Sequence, residues 1–255
     1  MMSNVLNVSI NDRIAVLTMT RPGKRNAMNE TLFSALEAFF QSPPGGVRVV
    51  ILTGTEGHFC AGLDLAEHET RTAEENLHHS RRWHRLMDQI QLGGLIVVSA
   101  MYGAVIGGGL ELASATHVRI AEPTTIFQLP EGRRGIFVGG GATQRVERII
   151  GADRMTEMML TGRKYGHEDG KSLGLAHYTC AEGEALALAE ELAGKIAVNA
   201  PMSNYMIVNS IHHAANMASE DALYAESLAA ALSQTTEDAA EGLRAFLEKR
   251  RPVFR

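Results

Sequence analysis

The sequence predicts an α/β fold with a C-terminal helical subdomain. Short apolar, β-branched runs at 47–52, 95–100 and 118–121 are separated by segments of helical spacing. Strand-plus-helix units of this kind build layered α/β domains. From 185 to 250 the chain reads as helix almost throughout, broken at Pro201 and at polar residues near Ser219 and Thr235. The expected division is a core over 1–195 and a helical region over 196–255, with no internal repeat.

Residues 4–20 alternate apolar and polar about Asn11-Asp12, as a hairpin does. Pro22-Gly23 stops the second strand and opens an irregular loop to Met28. A helix follows from Asn29 to about Phe40, with Leu32, Leu36 and Phe39 on one face, and Pro43-Pro44 ends it. After the 47–52 strand comes a turn at 53–57, then a loop of small residues, His58-Phe59-Cys60-Ala61-Gly62-Leu63-Asp64-Leu65. Residues 66–94 begin polar and turn helical at about Ala73. The 95–100 strand leads toward Gly103-Ala104-Val105-Ile106-Gly107-Gly108-Gly109, and a helix over 109–116 leads away from it. Strands at 118–121 and 125–129 precede Pro130-Glu131 and a second glycine-rich stretch, 135–141. Helix resumes at Ala142, and a last short strand lies at 177–179.

Composition narrows the function. Hydrophobic residues make up 45% and charged residues 21% of the 255, ordinary for a soluble enzyme. A net charge of −5, from 24 basic and 29 acidic side chains, argues against nucleic acid as the main partner. Cys60 and Cys180 cannot build a disulfide framework. Neither a basic, apolar leader nor a run of ~18 apolar residues is present, so no membrane partner is expected and a cytoplasmic location is.

The chain is organised around 103–113. Glycines let a backbone approach a ligand closely, and a helix that opens there points free N–H groups at it. Glu111 falls in that helix's first turn. Glu131 ends a neighbouring strand–loop unit, so the two carboxylates could face one another. Such a pair divides acid and base roles when one pKa is raised. Ala61-Gly62-Leu63 follows a strand in the same manner, and amides from two loops can bind one developing oxyanion. Nucleotide sites fit poorly, since neither glycine run is GxGxxG or ends in GK[ST]. His68, His78, His79 and His84 lack metal-ligand spacing and read as a solvent-facing helix, so no metal is expected. No GxSxG elbow occurs, and Cys60 reads as a small buried residue.

In order and spacing, these motifs resemble the enoyl-CoA hydratase/isomerase (crotonase) superfamily over nearly the whole chain. The resemblance rests on Arg21-Pro22 with Asn26-Ala27-Met28, on 59–65, on 103–113, on Pro130-Glu131 through Gly141-Ala142-Thr143-Gln144-Arg145, and on Leu160-Thr161-Gly162. It closes with Glu241-Gly242 and 245–250. It implies a (ββα)n spiral core with the acyl-CoA site in 1–195 and a helical oligomerisation region in 196–255. It further implies an acyl-CoA thioester substrate, no cofactor beyond the coenzyme A carried by the substrate, and a homotrimer or a dimer of trimers. Carried over residue by residue, Leu63 and Gly108 form the oxyanion hole, and Glu111 and Glu131 are the catalytic pair. Lys24, Arg25, Ala61, Asp64, Phe246 and Lys249 match positions that bind substrate or coenzyme A.

There are departures. Ala66 follows Asp64-Leu65 where the family commonly has Lys or Arg. Gly135-Ile136-Phe137-Val138-Gly139 replaces G-x-x-P-G, Arg133-Arg134 replaces a more apolar run, and Tyr102 stands where Asn is frequent. These surround the acyl pocket and leave the preferred acyl group open. With both glutamates present, hydration of a 2-enoyl-CoA is the expected reaction. The alternatives are isomerisation of an enoyl-CoA, hydration with lyase cleavage of a hydroxycinnamoyl-CoA, or a binding protein that has lost catalysis.

Overall fold

The computed structural model describes residues 5–67 and 71–255. Its main sheet has the order β1-β2-β3-β4-β6-β8. β1 (Leu6–Asn11) and β2 (Ile14–Met19) form the expected hairpin, Leu6 opposite Met19 and Asn11 opposite Ile14. β3 (Val49–Thr53), β4 (Ile96–Met101), β6 (Val118–Ala121) and β8 (Tyr178–Thr179) add in parallel. Parallel strands need crossovers, and helices supply them.

A second ladder departs from the sequence reading. The chain leaves the main sheet after β4 and forms β5 (Ala104–Ile106), which pairs with β7 (Ile126–Gln128). Single bridges extend this ladder on both sides: Met28 to Leu63, Cys60 to Val105 and Phe127 to Tyr165. The sequence reading placed 104–106 inside a glycine turn. Three residues are too short to show a period, and their partners lie far along the chain. Each turn of the chain therefore contributes a strand to the main sheet, a rung to the ladder and a helix, and the fold is the crotonase-like α/β spiral.

The main sheet is buried on both faces. Val50, Leu52, Val97 and Met101 join the larger core beneath α1 (Glu30–Gln41) and α2 (Ala73–Leu92). Val49, Ile51, Ile96 and Val98 face α7 (Ala185–Ala197). Ala185, Ala189, Ala193 and Ala197 make one small-residue stripe on α7, and all four are buried against the sheet. The Glu122 carboxylate accepts from the Ala185 N–H, so the strand that ends at Ala121 also fixes the start of α7. Asn29 caps α1 by accepting from the Leu32 N–H at 3.1 Å, worth ~1 kcal/mol. Thr72 and Glu75 form a capping box on α2. Trp83, Leu86, Met87 and Ile90 bury one face of that helix, each worth about 1.5–3 kcal/mol.

α3 (Gly108–Ser114), α4 (Ala142–Ile150), α5 (Ala152–Thr161) and α6 (His167–Leu173) complete the core. The expected boundary at 195 falls two residues before the end of α7. Beyond it come α8 (Pro201–Ala214), α9 (Ser219–Gln234) and α10 (Glu237–Leu247). α9 has no buried residue, and Leu223, Tyr224, Leu228 and Leu232 along it are all exposed. Among the described residues no helix is long and apolar enough to cross a membrane.

Candidate active site

The ladder sets the site. Met28 N–H donates to the Gly62 carbonyl at 2.7 Å, and Asp64 N–H to the Met28 carbonyl at 2.9 Å. On the other side, Cys60 N–H donates to Ala104 O and Ile106 N–H to Cys60 O. These bonds place the 60–64 loop between the Met28 segment and β5. A Cβ built on Gly62 would fall 2.6 Å from the Ile106 carbonyl and 3.1 Å from the Gly108 nitrogen, at a φ of +93°. Only glycine fits, and the two loops meet there. The Leu63 and Gly108 N–H groups have no acceptor among the described residues, and both residues line a cavity of about 410 Å³.

Gly107, with φ +56°, starts α3, and a Cβ on it would come within 2.8 Å of Glu131 Oε1. The first turn of α3 thus runs directly beside Glu131. Glu111 and Glu131 both line the cavity, and both are buried. Their surroundings differ. Glu111 Oε1 accepts from the N–H groups of Gly140 at 2.7 Å and Ala142 at 3.0 Å. Burial pushes its pKa up, and these bonds oppose that rise because they favour the charged form. Glu131 Oε2 is buried without a hydrogen-bond partner. Burial, with Glu111's charge adding to it, pushes Glu131 up to about 7. Burial thus pushes both carboxyls up, and they differ in that two amides hold Glu111 Oε1 while Glu131 Oε2 has no partner.

The remaining walls come from α2 and from 134–140. Trp83 is buried, packs with its ring centroid 5.2 Å from that of Phe33 and lines the cavity together with Ile136, Phe137 and Val138. Sequence reasoning missed Trp83 and the Gly140 and Ala142 amides. The only tryptophan in the chain, on the apolar face of α2, was the available signal. Backbone amides leave none.

Lys24 and Arg25 are exposed on the loop whose Arg25 carbonyl accepts from Ala61 N–H at 3.0 Å, and of Lys24, Arg25, Ala61 and Leu63 only Leu63 lines the cavity. Asp64 sits beneath it. Its Oδ2 is 2.8 Å from Arg21 Nη2, and Lys24 Nζ is 4.0 Å from its Oδ1. The Arg21 pair is buried and takes up the carboxylate, which helps hold the pKa below the ordinary value despite desolvation. Phe246 and Lys249 lie on and just beyond α10, exposed, and line no part of the cavity within this chain. Cys60 is fully buried, and its thiol is pushed up to about 12. Of the histidines, His79 lines this cavity, His78 is exposed beside Glu74, and His68 lies outside the described residues. A second cavity, of about 430 Å³, is lined by Arg81, Arg119, Arg145 and Arg148 and contains neither glutamate nor either open amide.

The sequence pattern of the enoyl-CoA hydratase/isomerase family matches residues 9–255. The chain belongs to that family. Among curated relatives, enoyl-CoA hydratase domain-containing protein 2, mitochondrial, of Bos taurus is 35% identical, covering 96% of this chain and 85% of its own. The 2,3-dehydroadipyl-CoA hydratase of Escherichia coli K12 is 31% identical over 98% of both chains. Among solved structures, an enoyl-CoA hydratase of Bacillus anthracis superposes with a TM-score of 0.92 at 30% identity over 98% of both chains. A Rhodopseudomonas palustris crystal structure gives 0.94 at 42% identity over 96% of this chain and 95% of its own. Enoyl-CoA hydratase/isomerase family proteins act on acyl-CoA thioesters, and the open amides and paired carboxylates of this cavity suit such a group.

Proposed function

We propose that the protein adds water across the double bond of a 2-enoyl-CoA to give a 3-hydroxyacyl-CoA. The observation that supports this is the asymmetry of the glutamates. One carboxylate accepts from two amides, which favour its charged form, and its neighbour has an unpartnered oxygen and is pushed by burial up to about 7. The thioester oxygen accepts from the Leu63 and Gly108 N–H groups. As C2 gains electron density these donors stabilise the enolate oxygen, each worth ~2.7–4 kcal/mol. Glu111 takes a proton from the attacking water, whose oxygen bonds to C3. Glu131 delivers its proton to C2. The first glutamate ends protonated and the second charged, and exchange with solvent restores both.

Lys24, Arg25 and Ala61 are placed on this reading along the coenzyme A path. Asp64 supports that path by holding Arg21 and Lys24. No metal and no separate cofactor is assigned. Phe246 and Lys249 complete a site only if a neighbouring chain brings them to it. That agrees with the apolar residues left exposed on α9 and α10, including Phe246 at 81%. We accordingly assign a homotrimer, or two trimers paired, joined through the 196–255 region. Light scattering then gives three or six times the 27.6 kDa chain mass. Replacing Leu223 and Leu228 by Glu lowers that mass, and a monomeric wild type rejects the assignment.

The direct test is turnover. Purified protein with crotonyl-CoA or cinnamoyl-CoA is expected to consume the enoyl-thioester absorbance and yield the 3-hydroxyacyl product. No hydration of either substrate, or conversion of a 3-enoyl-CoA to a 2-enoyl-CoA without water addition, rejects the hydratase reading.

A further inference from the structure

The exposed rim of the cavity carries a cation to which the proposed hydration gives no role. Arg133 and Arg134 follow Glu131 within one 3-10 turn. Arg133 is tied down, because its guanidinium donates to the Thr161 carbonyl and fills the space in front of Gly162. Arg134 makes no side-chain hydrogen bond and no close ion pair among the described residues, feels the nearby Glu131 electrostatically, and lines the cavity. The carboxylates of the lining are Glu111 and Glu131, which the proposed reaction commits to the reacting carbons.

The ladder gives the direction in which a substrate runs. Its rungs follow the order Met28, then 60–63, then β5, then β7. Lys24 and Arg25 lie at the Met28 end, the open amides in the middle, and Glu131 after β7. On the hydratase reading, which this inference rests on for its orientation, the thioester oxygen sits on the amides and C2 and C3 sit at the glutamates. Carbons beyond C3 then continue past Glu131 toward Arg134. Phe137, Val138 and Trp83 provide an apolar wall for methylenes on the way.

The geometry points to Arg134 as a specificity residue that takes a carboxylate at the distal end of the acyl chain, making the substrate class ω-carboxy-enoyl-CoA thioesters. The apolar stretch accommodates a few methylenes, and the guanidinium at the mouth meets the terminal anion. Such a charge-assisted contact is strong where, as here, no hydrogen bond already occupies the guanidinium, and Glu131 competes for it only when ionised.

Binding of saturated thioesters tests this without any turnover. Hexanoyl-CoA and adipyl-CoA have equal carbon counts and differ in ending as a methyl or a carboxylate. Calorimetry on the wild type should give adipyl-CoA a Kd at least about tenfold lower. That ratio should fall to about one in Arg134→Gln and be partly kept in Arg134→Lys. Raising the salt concentration should shrink it, since the contact is at the solvent-facing mouth. Equal or weaker binding of adipyl-CoA, a preference that survives Arg134→Gln, or binding of neither thioester would overturn the assignment. A protein that shows the adipyl-CoA preference yet hydrates no enoyl-CoA keeps Arg134 in this role and rejects only the hydratase reading.

Discussion

Glu111→Gln lowers kcat for hydration of a 2-enoyl-CoA by at least ~100-fold, the usual scale of a general acid/base contribution. The replacement is nearly isosteric. The side-chain carbonyl oxygen of Gln can still accept from the Gly140 and Ala142 N–H groups that hold Glu111 Oε1. What is lost is the proton acceptor for the attacking water. The loss should therefore appear in kcat, with the Kd for a saturated acyl-CoA changed little. An isomerase that moves protons through Glu131 alone would be almost indifferent to the same change. One variant measured on a 2-enoyl-CoA and a 3-enoyl-CoA thus separates the two chemistries of the family. Hydration within a few-fold of the wild type would remove Glu111 from the role of base.

The sequence exposed parts of this site that have a local cause and hid those that do not. Val118–Ala121 is a strand and Ala73–Leu92 a helix in nearly the expected places, because β-branched runs and a capping pair act over a few residues. Glu111 could be placed in a first helical turn because the glycines before it mark where the helix opens. The ladder was illegible, since its rungs at Met28, Cys60 and Val105 are joined only by backbone bonds between distant segments. The ion pair of Arg21 with Asp64 was equally hidden, although both residues belong to recognised motifs, and it shows that Asp64 is occupied within the protein. Phe246 and Lys249 mark a different limit. Both are exposed in the single chain, and whether the proposed trimer brings them to a site is something that spacing along one chain carries no information about. Arg134 stood out in the sequence only as a departure from an apolar run; its lack of a hydrogen-bond partner is a property of the fold.

Glu131→Gln stabilises the protein in mildly alkaline solution and does so much less at pH 5. The carboxyl titrates at about 7 in the folded chain, against an ordinary 4.5, because burial disfavours its charge. Between those values the folded state holds a proton that the unfolded state has released. Stability is therefore greatest below about 4.5 and is lost as pH rises through about 7, a difference of order 3 kcal/mol once the group is ionised. Gln reproduces the neutral form and never ionises, so it escapes that cost. In a chain of this size the gain corresponds to roughly 5–10 °C in Tm at pH 8. Glu111→Gln should shift stability in the same direction, since burial raises the Glu111 pKa as well, against the opposing pull of its two N–H donors. Thermal unfolding of both variants and the wild type at pH 5 and pH 8 measures the contrast. Glu131→Gln no more stable than the wild type at pH 8 would place the proton elsewhere and reverse the assignment of acid and base. The same ionisation governs catalysis: kcat/KM of the wild type should fall as pH rises past about 7, since a charged Glu131 has no proton to give to C2. On the hydratase reading, the desolvation that raises the Glu131 pKa links the pH dependence of stability to that of the acid step.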